Sequence, residues 1–189
     1  MTYNTTHPVE TDCIDAVRDW LEKAVIGLNL CPFAKAVHVK QLIRFQVSTA
    51  SIDAELVVAL EQELSLLAQA DPRQLDTTLL IVPSMLQDFL DFNDFLGVAD
   101  ELVGSMELEG VIQVASFHPA YQFAGTRPDD IENYTNRSPY PILHLLREAS
   151  IDAAVAAFPD ASAIYERNIA CLQELGIDGW RKLMGTEKR

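Results

Sequence analysis

Residues 77–82 read TTLLIV, six uncharged residues between Asp76 and Pro83. A short, continuous apolar run closed by a breaker suits a central strand covered on both faces. The flanking sequence supplies the covers. Before it, Leu56, Leu60, Leu64 and Leu67 form one stripe of a helix from Ser51 to about Ala70. Ser51 is placed to cap that helix, Asp53 and Glu55 suit its positive end, and Asp71-Pro72 ends it. After it, Ser84-Met85-Leu86-Gln87 has the capping-box pattern. The helix it opens runs to about Met106, with Phe92, Phe95, Ala99, Leu102 and Val103 at helical spacing.

Further out, Val37, Val39, Ile43, Phe45 and Val47 alternate with His38, Lys40, Arg44 and Gln46, which predicts a half-buried strand over 37–47. Gln41 and Leu42 interrupt the alternation, as a bulge would. Residues 111–117, VIQVASF, predict a third strand, and Val17, Trp20, Leu21, Ala24, Val25 and Leu28 a helix over about 12–28. The order α, β, α, β, α, β favours parallel neighbours with right-handed crossovers. Residues 118–141 hold four prolines and no helical stripe, a loop long enough to be functional; Tyr121, Phe123, Tyr134 and Tyr140 favour an ordered one. Helices are expected at about 141–149, 150–158 and 161–175, with a short terminal turn or helix around Trp180. The expectation is one α/β domain over 12–185 behind a flexible N-terminus, 1–11. Its small sheet of three to four strands is mostly parallel or mixed and packed by helices.

The 189 residues are 49% hydrophobic, enough for one core. Twenty-eight acidic against 14 basic residues leave a net charge of −14, which disfavours nucleic-acid backbones and anionic membranes as partners. No apolar run approaches the roughly 18 residues of a membrane span, and no secretory signal is visible. Three scattered cysteines, Cys13, Cys31 and Cys171, make no disulfide framework and suit a reducing cytoplasm. Cys13 and Cys171 read as helix packing residues.

Chemistry can live at a few places. His118 follows the third strand directly, at the strand end where α/β sheets bind ligands, and is placed for acid–base work or for tying down the loop. Asn133, Thr135, Asn136, Arg137 and Ser138 gather donors at one place; Arg137 can clamp an anion, or the loop can satisfy itself. On the expected 141–149 helix, His144, Arg147 and Glu148 share a face, with Glu148 able to orient the imidazole, or simply to form an exposed ion-pair face. A helix opening at Pro32 would put the Cys31 thiol at its positive end, with Lys35 nearby; a packed apolar cysteine is the plainer alternative. A metal site can be assembled on paper from Cys31, His118 and His144, or from His118 with Asp129, Asp130 and Glu132, but no CxxC, HxxH or HExxH spacing supports it. GxGxxG, P-loop and GxSxG patterns are missing, so no nucleotide cofactor is expected.

Four stretches, VIGLNLCPFAKAV (25–37), DFNDFL (91–96), QVASFHPAYQFAGT (113–126) and NYTNRSPYPILHLLRE (133–148), resemble bacterial proteins grouped as domain of unknown function family 1415. The resemblance covers roughly residues 12 to 180 and implies a single compact domain without naming a reaction. Its motifs contain Cys31, Pro32, Lys35, Asn93, His118, Tyr121, Gln122, Asn136, Arg137, His144, Arg147 and Glu148.

Two function classes follow. The first is a small-molecule enzyme, transferase or hydrolase, with a pocket under the 118–141 loop. There His118 is acid or base, Cys31 a nucleophile, and His144 with Glu148 a supporting pair. Arg137, Asn136, Tyr121, Gln122, Lys35 and Arg147 hold the substrate. The second is a non-catalytic module that binds an anionic metabolite or a protein partner with the same arginine.

Overall fold

The computed structural model describes residues 8–157 and 163–185. The expected flexible N-terminus falls partly on residues 1–7, and the expected helix boundaries at 158 and 161 also lie outside the described residues; the first helix, α1, starts at Pro8 and runs to Trp20. It continues as a π-helical turn, Leu21–Ile26. Then come α2 (Ala34–Val39), β1 (Ile43–Val47), α3 (Asp53–Gln69), β2 (Thr77–Ile81), α4 (Phe89–Ser105) and β3 (Ile112–Phe117). A 3₁₀ turn (Ile131–Thr135), β4 (Ile142–Arg147), α5 (Glu148–Ala157) and α6 (Ala163–Leu183) complete the chain, α6 being broken at Gly176, where φ is 64°. The break separates off the short terminal helix expected around Trp180.

The fold is α/β with a four-stranded mixed sheet in the order β1-β2-β4-β3. β1 and β2 are parallel, and β4 runs antiparallel to both β2 and β3. β1, β2 and β3 therefore all point the same way, as the alternation of strands and helices implied, but the slot between β2 and β3 is filled by β4. This corrects the helix expected over 141–149. Ile142, Leu143, Leu145 and Leu146 satisfy helical spacing and also the pattern of a strand buried on both sides, and so short a run does not separate the two. Pro141 precedes the strand, where its missing N–H costs no ladder bond.

Other boundaries move for local reasons. The alternation over 37–47 is strand only from Ile43; residues 34–39 form α2, whose Val39 is 70% exposed. Gln41, at φ 58°, ends that helix, so the irregularity in the pattern is the true element boundary. α4 starts at Phe89 rather than near Ser84, because Asp88 caps it: its Oδ1 accepts from Leu90 N at 2.8 Å and Asp91 N at 3.3 Å. Ser51 is not the cap of α3; that position is Ile52, and Ser51 N and Oγ instead donate to Glu55 at 2.8 and 3.0 Å.

Each sheet face has its own core. Leu56, Leu60, Leu64 and Leu67 of α3 and Phe92, Phe95, Ala99 and Val103 of α4 cover Leu80, Leu143, Leu145 and Ile112. On the other face, Val17, Trp20, Leu21, Ala24 and Val25, with Leu172 and Trp180 of α6, cover Leu79, Ile81 and Ile142. All five β2 residues are buried, as an apolar run between two helical layers requires. Among the described residues, no helix is long and apolar enough to cross a membrane.

Candidate functional site

Alternation along β3 and β4 decides where the candidate residues go. Phe117 packs on the α1 face, so the next residue, His118, turns to the α3/α4 face. There it is fully buried, with the rings of Phe92 and Phe89 at 5.0 and 5.4 Å. Its Nδ1 accepts from Ala120 N at 3.0 Å, which leaves Nε2 carrying the proton towards the Leu86 carbonyl, also at 3.0 Å. Both ring nitrogens are committed to the backbone. Desolvation lowers the imidazole pKa, against the Leu86 carbonyl and Asp88, which favour the charged form. This neutral ring ties the β3 exit to the loop before α4.

His144 lies on the opposite face, with Phe117 at 5.8 Å. Its Nε2 is 2.8 Å from Thr77 Oγ1, and that hydroxyl donates to the Leu145 carbonyl at 2.6 Å. One hydroxyl proton serves one acceptor, so Nε2–H donates to Thr77. Burial pushes the His144 pKa down to about 4.

The shared helix face of His144, Arg147 and Glu148 does not exist. On a strand, residues three apart point to opposite sides. Arg147 is buried beneath α3, where it donates to the carbonyls of Leu67, Ala70 and Leu75. Its charge completes the negative end of that helix. Glu148 opens α5, and its backbone N–H donates to Val111 O at 3.0 Å. Thr77, not Glu148, orients the His144 ring.

Cys31 is half-buried in the α1-side core. Its carbonyl accepts from Ala34 N at 3.3 Å, and the helix beyond it starts at Ala34 rather than Pro32. The thiol therefore does not sit at the helix entrance that the sequence suggested. Lys35 is exposed on α2. Among the described residues, no three His, Cys, Asp or Glu side chains converge as metal ligands would. Cys31, His118 and His144 thus do not open into one cavity; the sheet separates the two imidazoles.

The 118–141 loop is ordered from within. Asn133 is fully buried; its Oδ1 accepts from Phe123 N at 3.0 Å and Thr126 Oγ1 at 2.7 Å, while Nδ2 donates to Arg127 O at 2.7 Å. Gln122 donates to Thr126 O at 2.5 Å, and Asn136 Nδ2 donates to Ser116 O at 3.3 Å. The Asn136 carbonyl in turn accepts from His118 N at 3.1 Å. Tyr121 packs between Phe89 and Phe123, at 5.1 and 5.0 Å. These residues satisfy one another.

Arg137 is tied into the same loop but keeps donors to spare. Its Nε donates to Tyr121 O at 3.3 Å and one Nη2–H to Pro128 O, while the guanidinium lies 4.3 Å over the Tyr134 ring. Two of five N–H donors are used. Among the described residues, no carboxylate pairs with it. It lines a cleft of about 390 Å³ between α1, the loop and the end of α6, together with Trp20, Tyr134, Ser138 and Trp180. Tyr134 and Trp180 meet edge to face at 5.1 Å. Asp19, on the cleft rim, is occupied by Lys23 at 2.6 Å. Reading the sequence did not bring Trp20 and Trp180 to this place: Trp20 read as an apolar position on the first helix and Trp180 only as marking a terminal turn or helix, and nothing in the spacing joins them.

Of the loop that builds this cleft and the strand that follows it, residues 118–126 and 133–147 fall within the stretches that resemble the family. Comparison with curated proteins and with solved structures found no match. The family model for "Protein of unknown function (DUF1415)" spans residues 12–182, which takes in the sheet, the loop and all but the first four and last three described residues, and the chain belongs to that family.

Proposed function

We propose that the chain binds a small anionic molecule with a flat apolar body in the cleft of Trp20, Tyr134, Arg137, Ser138 and Trp180. One observation carries this reading: Arg137 is fixed in an aromatic cleft with spare donors and no described carboxylate paired to it, in a chain of net charge −14. A stacked, pre-oriented guanidinium offers paired donors to a carboxylate or phosphate at little entropic cost. The aromatic walls suit the apolar remainder of such a ligand.

This is the binding-module reading of the sequence, with the arginine kept and the thiol left out. The enzymatic alternative needs an acid–base group or nucleophile facing the same space. His118 has both nitrogens engaged on the far side of the sheet. That geometry favours binding over catalysis.

The chain's two tryptophans both line the cleft, so its intrinsic fluorescence reports occupancy. Phenylacetate and phenyl phosphate are expected to shift that emission saturably, and benzyl alcohol to do so far more weakly. Arg137→Leu should weaken phenylacetate binding by about tenfold or more, the worth of one charged hydrogen-bond pair. Ala16→Leu fills the cleft from α1 without touching the arginine and should abolish binding while the fold is kept. Equal binding of the neutral alcohol, or unchanged affinity in the filled variant, overturns the proposal.

A further inference from the structure

We propose that the free edge of β1 is a docking strand for an extended acidic segment of a partner protein. β1 is an outer strand of the sheet. Leu42 O accepts from Asp76 N at 2.9 Å and Ser48 N donates to Ile81 O at 2.8 Å, so the even-numbered residues turn their backbone groups to β2. By alternation, Ile43 and Phe45 point their N–H and C=O groups outward. The Val47 carbonyl shows the same direction, since the Gln46 side chain reaches it at 3.1 Å. No described residue outside the sheet meets the outward groups of Ile43 and Phe45.

A groove of about 440 Å³ opens at the start of this strand, walled by Ile14 and Arg18 of α1, Ile43, Arg44 and Phe45 of β1, Leu66 of α3, and the turn residues Gln41, Gln74 and Leu75. Its charged lining is two arginines, one on each side of the sheet, although the chain carries −14. Arg18 lies over the Phe45 ring at 5.1 Å, with its carboxylate neighbour Asp15 at 3.7 Å, too far for a hydrogen bond. Arg44 is held by Glu63 through Nε at 2.7 Å and Nη2 at 3.1 Å, and its Nη1 is left over.

Neighbouring residues of an added strand point to opposite faces. Adjacent carboxylates on such a strand would reach Arg18 on one face and Arg44 on the other, while apolar residues cover Ile43, Phe45 and the part-exposed Leu66. Main-chain bonds supply affinity in this mode and the two arginines supply the choice of partner. The competing role for the same arginines is to block edge pairing altogether.

The test uses the whole chain and three blocked heptapeptides: one of valine and glutamate, its lysine-for-glutamate counterpart, and an acidic copy N-methylated at alternate amides. Peptide titration is followed by amide NMR and hydrogen exchange. The acidic peptide is expected to bind and to slow exchange at Ile43 and Phe45. The N-methylated copy should bind about tenfold more weakly, having lost main-chain donors. Arg18→Gln should weaken the acidic peptide about threefold, the worth of an exposed ion pair. No binding at millimolar peptide, equal binding of the lysine peptide, or indifference to N-methylation overturns the proposal and leaves the arginines as edge guards. Concentration-dependent protection at Phe45 without peptide also overturns it, in favour of pairing between copies.

Discussion

Acidification is the sharpest perturbation for this fold, because His144 must stay neutral in it. Its pKa falls from an ordinary 6.5 to about 4 on folding, through burial. The unfolded chain therefore takes up a proton first as the pH drops. Stability is whole above the unfolded value, declines as the pH falls below 6.5, and levels off below the folded value. The linkage relation puts the loss at about 0.8 kcal/mol at pH 6 and about 2 kcal/mol at pH 5. These are ceilings, since the residue as a whole keeps some solvent exposure and water screens part of the penalty. Buried His118 adds a loss of the same sign. The comparison that isolates His144 is His144→Gln, which keeps a donor for Thr77 and removes the titration. Urea unfolding of both proteins at pH 7.5, 6.0 and 5.0 should show the native chain losing up to about 2 kcal/mol more than the variant at the lowest pH. Curves that fall in parallel, within about 0.5 kcal/mol, refute the reasoning.

Two further outcomes test how α3 and α4 are held. Arg147→Met should cost about 3 kcal/mol in urea unfolding, because the carbonyls of Leu67, Ala70 and Leu75 lose their donor beneath α3; a loss under about 1 kcal/mol would mean water replaces it. Asp88→Ala should cost about 1 kcal/mol by removing the α4 cap, with faster amide exchange at Leu90 and Asp91, and unchanged exchange there would remove Asp88 from that role.

The stripe of Leu56, Leu60, Leu64 and Leu67, the apolar run at 77–82 and the third strand were legible because burial imposes a period on the residues that carry it. Those periods also carried the shared direction of β1, β2 and β3. The 142–147 strand was not legible: six residues with four aliphatics satisfy both periods, and its identity comes from the gap between β2 and β3 that it fills. That one assignment undid the shared face of His144, Arg147 and Glu148, since it changed which side chains point together.

At the candidate site the sequence picked out Arg137 by its chemistry and the 118–141 loop by its length and prolines. It also marked His118 as a special position at a strand end, which it is, as a neutral tie between two loops. What it could not supply is distance. Trp20 and Trp180 reach the arginine only because α1 and α6 cover the same face of the sheet. Periodicity is a property of neighbours along the chain and can be read there. A cleft is made by segments far apart in the chain, and only the packing of the helices on the sheet decides which of them meet.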